Sequence, residues 1–91
     1  MNQEDELKKF ETILSELAEI KRNKSADYGN SWKVFGLMGV IYQIMSKSLR
    51  IWNLRNKDPK NEPLRDSFRD IAVYGIMAMQ LIDSEETEPK I

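Results

Sequence analysis

The chain has 91 residues, no cysteine, no histidine, and 14 basic against 15 acidic side chains, which leaves a net charge of −1. Without cysteine there is no thiolate nucleophile, disulfide or cysteine-containing zinc site. Without histidine the chain lacks the usual acid–base group near neutral pH and the commonest transition-metal ligand. A bound metal would therefore be a hard cation held by carboxylate oxygens.

Net charge and the distribution of apolar residues also limit the expected location and partners of the protein. A net charge near zero disfavours general binding to DNA or RNA duplexes. No apolar run reaches the roughly 20 residues that a membrane span needs, and the acidic start of the chain differs from a signal peptide. We therefore expect a cytoplasmic protein that does not associate with membranes.

The first predicted helix covers about residues 4–23, where apolar residues recur every three or four positions. Its stripe consists of Leu7, Phe10, Ile13, Leu14 and Leu17. Residues 25–31 then combine Asp, Gly, Asn and Ser, which is typical of turns. We expect Ser31 to cap a short helical turn, with Gly36 and Gly39 loosening the backbone before the next helix.

The second and third predicted helices cover about residues 37–56 and 63–83. The second is apolar over more than half of its circumference, which is typical of a central helix. Pro59 cannot continue it, and Pro63 suits the first turn of the third. Residues 85–91 are acidic and poor in apolar side chains, so they predict a flexible tail.

The predicted fold is all-α: a three-helix antiparallel bundle over residues 1–84, with a broken connection between helices 1 and 2. A chain of this size buries only a modest core. Yet 41% of its residues are hydrophobic, more than three helices can hide from water. We therefore expect a homo-oligomer.

The net charge is close to zero, but the middle of the chain has an excess of basic residues. Residues 24–60 contain seven cations and two carboxylates, whereas both flanking segments are net acidic. A local anion site is therefore compatible with the overall charge.

Three groups of residues could carry chemistry. The first is the nine-residue segment 24–32, with Lys24 for a phosphate, Tyr28 or Trp32 for stacking on a base, and Asp27 for a ribose hydroxyl or a base N–H. Ser31 adds a hydroxyl. The structural alternative is a helix connection in which Asp27 caps a helix and the aromatic rings fill the core.

The second group pairs Lys47 and Arg50, three residues apart on the second helix, with Asp66 and Asp70 on the third. Tyr74 continues the acidic row. Two neighbouring cations on an interior helix need anionic partners. They either form an interhelical salt-bridge network with these carboxylates or receive phosphates, and both can hold at once.

The third group is a possible metal site. Glu16 and Glu19 form an E-x-x-E pair on the first helix, and Asp66 and Asp70 add two carboxylates from the third. Four such carboxylates can hold Mg²⁺ for a pyrophosphohydrolase. The alternative is that Glu16 and Glu19 simply face water. No nucleophile with a base and no phosphate-binding glycine loop is present, so we predict no catalytic residues.

Three blocks together resemble the nucleotide modification associated domain family of small helical phage and bacterial proteins. The blocks are Lys24-x-x-Asp27-Tyr28-Gly29-x-Ser31-Trp32, Ile44-x-x-Lys47-x-x-Arg50-Ile51 and Asp70-Ile71-x-x-Tyr74-Gly75-Ile76-Met77-Ala78. The family often has Asn-Tyr where this chain has Val73-Tyr74. The resemblance implies a link to nucleotides, and the layout also resembles the MazG-like all-α nucleoside triphosphate pyrophosphohydrolases.

Our leading hypothesis is a non-catalytic, phage-encoded protein that sequesters a nucleotide, such as a cyclic nucleotide signal of anti-phage immunity, in the host cytoplasm. Its ligand site would use Lys24, Asp27, Tyr28, Ser31, Trp32, Lys47, Arg50, Asp70 and Tyr74, with no cofactor. The alternatives are a Mg²⁺-dependent MazG-like pyrophosphohydrolase, with Glu16, Glu19, Asp66 and Asp70 as ligands, and an accessory protein of nucleotide modification.

Overall fold

The computed structural model describes residues 2–23 and 31–89, and of Ser31 and Trp32 it describes the backbone only. It contains three helices: α1 (Gln3–Asn23), α2 (Ser31–Leu54) and α3 (Glu62–Asp83). The described residues form no strand, so the all-α prediction is confirmed. None of the described helices has the length and apolar character needed to cross a membrane.

The helix boundaries differ from the predicted ones mainly in α2. It begins at Ser31 because the predicted short turn runs on into the helix, and it ends at Leu54 rather than at 56. The interruption predicted before the main helix is present inside it, at Gly36, whose φ of 68° and ψ of −160° are not helical. Only a residue without a Cβ adopts this conformation readily.

The α2–α3 hairpin is the main packing unit. Leu37 near the start of α2 bonds to Thr87 beyond the end of α3, and Lys47 pairs with Asp70 in the middle, so the two helices are antiparallel. Asn61 caps α3 by accepting a hydrogen bond from the Leu64 N–H at 3.3 Å. Such a cap satisfies one of the donors that a helix start leaves unpaired.

The core is small. The described residues bury six apolar side chains at 9% exposure or less, which are Leu17, Val40, Leu64, Val73, Met77 and Leu81. The Cα radius of gyration is 14.7 Å, against about 12 Å for a compact chain of this length. The chain is therefore elongated, and much of its apolar surface remains exposed to water.

α1 packs on α3 through its second half. Leu17 is its one buried residue and contacts Val73 and Met77. In contrast, Leu7 and Phe10 near the start of α1 are 56% and 61% exposed. The first half of α1 therefore presents its apolar stripe to solvent.

The segment after α3 turns back toward α2. Glu85 has a φ of 60°, and the N–H groups of Glu85 and Glu86 bond to the carbonyls of Ile82 and Leu81, which is a Schellman ending. Thr87 then accepts a 3.0 Å hydrogen bond from the Leu37 N–H. Residues 84–89 therefore lie against the break in α2, while the flexibility predicted for residues 85–91 stays a prediction.

Two glycine substitutions should have opposite effects on stability. In Gly36→Ala the new Cβ would lie 2.6 Å from the Thr87 carbonyl oxygen, at a positive φ, so we expect a loss of about 1–3 kcal/mol. In the control, Gly75→Ala, the Cβ meets nothing within 4 Å, and helix propensity should add about 0.5–1 kcal/mol. Urea unfolding measures both, and equal changes in the two variants would contradict this role of Gly36.

Candidate functional site

A row of alternating charges joins the middle of α2 to α3. The Lys47 Nζ lies 3.2 Å from an Asp70 carboxylate oxygen, and both side chains are mostly buried. Arg69 places its Nε 3.9 Å from the other Asp70 oxygen and an Nη 3.1 Å from Asp66. The interhelical pairing predicted for Lys47 is therefore confirmed, with Asp70 as its partner.

Arg69 is a member of this row that the sequence reasoning missed. Its side chain is only 22% exposed, and its Nε is buried without a hydrogen-bond partner among the described residues. The spacing contained the signal, because Arg69 lies three residues after Asp66 and can pair with it within one helix. This local pair removes Asp66 from the predicted interhelical network.

The predicted pairing of Arg50 with these carboxylates is wrong. Arg50 is exposed, and no described residue forms an ion pair with it. Three helical residues rotate it by about 60° from Lys47 around α2, which places it at the exposed edge of the side that meets Asp70. Only one of the two neighbouring cations on α2 therefore needed an internal partner.

Tyr74 lies half-buried next to the cluster of Leu17, Val73 and Met77. Burial raises the pKa of its phenol, and the nearby negative charge of Asp70 raises it further. The neutral hydroxyl form is therefore retained at physiological pH, where Tyr74 can act as a hydrogen-bond donor but not as a base.

Glu16 holds α1 against α3 from the edge of an apolar cleft. Two nitrogen atoms of Arg65 lie 3.1 and 3.2 Å from its two carboxylate oxygens. The hydrogen bond from Arg65 lowers the pKa of Glu16. This bidentate contact fixes the crossing of the two helices more tightly than a point charge would.

The magnesium site predicted under the enzyme alternative is not assembled. Each of its four carboxylates has a cation as partner: Arg65 for Glu16, Arg22 for Glu19, Arg69 for Asp66 and Lys47 for Asp70. Among residues 2–23 and 31–89, no group of three or more acidic side chains is placed to hold a metal ion. Three of these pairs lie along one helix or between α1 and α3.

A second basic group lies where α1 ends and α2 begins. Lys21 is partly buried, and its pKa is lowered first by that burial and then by the positive charge of Lys33. The two lysines come from either end of the connection that carries the first predicted constellation. Of that constellation, Lys24, Asp27 and Tyr28 lie outside the described residues.

The predicted ligand residues fall into two regions of the chain. Lys21 lines a cleft together with Gln80 near the end of α3, whereas Lys47 meets Asp70. Ten residues of helix, about 15 Å, separate Asp70 from Gln80. The mid-helix group of Lys47, Asp70 and Tyr74 is therefore distinct from the pair of Lys21 and Lys33, which we call the lysine corner.

The fold and these groups define a small helical protein in which carboxylates pair with cations and lysines gather at one corner. The chain belongs to the family described as Nucleotide modification associated domain 1, whose model matches residues 24–82. It matches no curated protein and no solved structure. The matched region contains all of α2 and nearly all of α3, so the hairpin is the part of the fold that the family defines, and α1 lies outside it.

The Lys47–Asp70 contact should show measurable coupling in a double-mutant cycle. Lys47→Met, Asp70→Asn and the double variant should give a coupling energy of about 1 kcal/mol, because both groups are mostly shielded from water. The exposed pair Glu4–Lys8, at 3.7 Å, is the control, and its coupling should stay below about 0.5 kcal/mol. Equal coupling energies from urea unfolding would mean that the interhelical contact adds nothing beyond a surface pair.

The Glu16–Arg65 contact should make the free energy of unfolding depend on pH in the acidic range. Because the folded pKa of Glu16 lies below its ordinary value of 4.5, its contribution is present above that value and is lost as pH falls through the folded pKa. Glu16→Gln should therefore be less stable than the wild type at pH 7, with the difference shrinking toward pH 3. Arg65→Gln should show the same trend, and a difference independent of pH would contradict the assignment.

Proposed function

We propose that this protein binds a phosphate-bearing nucleotide without turning it over, and that the phosphate binds at the lysine corner. Two observations carry the proposal: Lys21 lines a cleft with Gln80 at the end of α1, and its pKa is lowered by burial and further by the positive charge of Lys33. Like charges held together repel, and a bound anion removes that repulsion. A phosphate at this corner would therefore gain more than one at a single surface lysine.

The start of α2 adds to the attraction. The first turn of α2 contains no acidic residue, whereas α1 begins with Glu4, Asp5 and Glu6 and α3 with Glu62. The N–H groups at a helix start and the helix dipole both favour an anion. In α1 and α3 the chain's own carboxylates meet that demand, whereas the first turn of α2 contains no carboxylate of its own.

The family description supports the ligand class that we propose. It begins at Lys24 and so includes the whole connection between the helices, and the family description refers to nucleotide modification. In the proposed site Lys24 joins the phosphate contacts, Tyr28 or Trp32 stacks on the base, and Asp27 accepts from the ribose or from a base N–H. Ser31 offers a hydroxyl beside the phosphate.

The mid-helix residues take a different part in this proposal. Lys47, Asp70 and Tyr74 stabilise the α2–α3 hairpin, because Lys47 and Asp70 already satisfy each other. In this proposal they stabilise the helices that carry the lysine corner and do not contact the ligand. Arg50, exposed on α2, is likewise outside the proposed site.

The biological role that fits is sequestration. A small phage-encoded chain that binds a nucleotide signal tightly and does not hydrolyse it would remove that signal from the host cytoplasm. Cyclic nucleotides of anti-phage immunity are the ligands we propose. The ion pairs that occupy Glu16, Glu19, Asp66 and Asp70 favour this role over magnesium-dependent pyrophosphate release.

Isothermal titration against cyclic dinucleotides, cyclic trinucleotides, NAD-derived cyclic signals and nucleoside triphosphates tests the proposal. Lys21→Ala and Lys33→Ala should each weaken binding of the ligand found by about 10-fold or more, as expected for a lost charge-assisted contact. Lys8→Ala, an exposed lysine elsewhere on α1, should leave affinity unchanged. Affinity should also fall as pH rises toward the lysine pKa, since only the charged form holds phosphate.

Two results would overturn the proposal. One is the absence of micromolar binding to every nucleotide in the panel. The other is release of pyrophosphate or of a cleaved product from a bound nucleotide when Mg²⁺ is present, with the release abolished by Asp70→Ala in a folded protein.

A further inference from the structure

One face of α2 is apolar and exposed from Met38 to Trp52. Five of its side chains are more than 60% exposed, namely Met38 67%, Tyr42 68%, Met45 62%, Leu49 65% and Trp52 61%. These positions alternate by four and three, which is the repeat of a coiled-coil seam. Phe35, 50% exposed, lies before the break at Gly36 and lines a cleft together with Met38 and Tyr42.

The seam lies on the side of α2 opposite to the hairpin. Lys47 pairs with α3, and Val40, seven residues earlier on the same side of the helix, is fully buried. In a heptad with Tyr42 and Leu49 at a and Met38, Met45 and Trp52 at d, Val40 and Lys47 both occupy f, the position farthest from the seam. The exposed repeat is therefore a second packing face and not a gap in the hairpin.

We infer that this seam packs against the same seam of a second copy of this chain, with the two α2 helices antiparallel. The charge pattern identifies the occupant as a second copy. The e and g positions beside the seam, from 39 to 53, hold Gly39, Ile41, Ser46, Ser48 and Asn53. Between residues 39 and 53 no charge stands beside the seam to repel its own copy or to select a partner of opposite charge. Arg55, at the next g position, stacks on the Trp52 ring of its own chain, 4.0 Å from the ring centroid.

The size of the seam fits a stable dimer. Two aromatic rings, two methionines and a leucine, each about two-thirds exposed, together with Phe35 offer on the order of 800 Å² of side-chain surface. A standard stable interface buries about that area on each partner. Its small flanking residues, Gly39, Ser46 and Ser48, allow the two helices to approach closely.

The antiparallel register also brings a projecting aromatic side chain of one copy to a cleft of the other. It places Phe35 opposite Trp52, Met38 opposite Leu49, and Tyr42 opposite Met45 of the second copy. Phe35, Met38, Gly39, Tyr42 and Pro89 line an open cleft of about 490 Å³, and this register brings Trp52 of the second copy to it. Two-fold symmetry then fills both clefts at once, and the antiparallel helix dipoles attract each other.

Sedimentation velocity over a concentration series tests the interface in the full chain. The wild type should form a dimer, and Trp52→Ala should raise its dissociation constant at least about 10-fold, as expected for a central aromatic side chain. Phe68→Ala is the matched control, an aromatic residue on α3 that is 56% exposed and off the seam. Circular dichroism confirms that each variant is folded.

A monomeric wild type at high micromolar concentration would overturn the inference, as would equal losses in Trp52→Ala and Phe68→Ala. Orientation is tested with cysteines, which the natural chain lacks. A mixture of Tyr42→Cys and Met45→Cys chains should form a mixed disulfide upon oxidation, since these positions face each other. Disulfides between identical chains only would show a parallel pair and contradict the register.

Discussion

The packing of one side of α2 on α3 is the contact on which the rest of the structure depends. Val40 is fully buried on that side, and the Lys47–Asp70 pair lies on it, so hydrophobic burial and one shielded charge pair fix the same register. The family model matches this hairpin and not α1. α1 adds Leu17 and the Glu16–Arg65 contact, which hold it against α3 by its second half only.

That dependence explains why so much apolar surface is exposed. A hairpin of two helices encloses only one side of each helix, and α1 covers part of α3 without covering α2. The second side of α2 is therefore built from large apolar residues that remain mostly exposed to water, and Arg55 stacks on one of them, Trp52. In a protein whose own core contains so few buried side chains, packing between chains and packing within the chain would contribute on similar scales.

The sequence predicted those features of the fold that depend on interactions between neighbouring residues. Helical periodicity located all three helices, and Pro63 marked the start of α3 because the effect of a proline is confined to a single helical turn. It also identified the break near Gly36, since glycine there permits a positive φ. The ion-pair partner of Asp66 was harder to predict, because Arg69 on the same helix formed the pair instead of a cation from α2.

The end of the chain shows a second limit of sequence reasoning. Thr87 accepts a hydrogen bond from the Leu37 N–H. This contact has no signature in local sequence, because it requires that the end of α3 reach the break in α2. The same reason applies to the lysine corner, where Lys21 and Lys33 approach only after the helices are placed.

The break in α2 links the proposed ligand corner to the proposed dimer. Gly36 separates the first turns of α2, which carry Lys33 and Phe35, from the part that packs on α3. Phe35 belongs to the cleft that Trp52 of a second copy would fill. In the dimer, contacts from the second copy would therefore hold the residues before Gly36 in place and fix the position of Lys33. A phosphate site built on that piece would then be better ordered in the dimer than in the monomer, so ligand binding and self-association would favour each other by the same free energy.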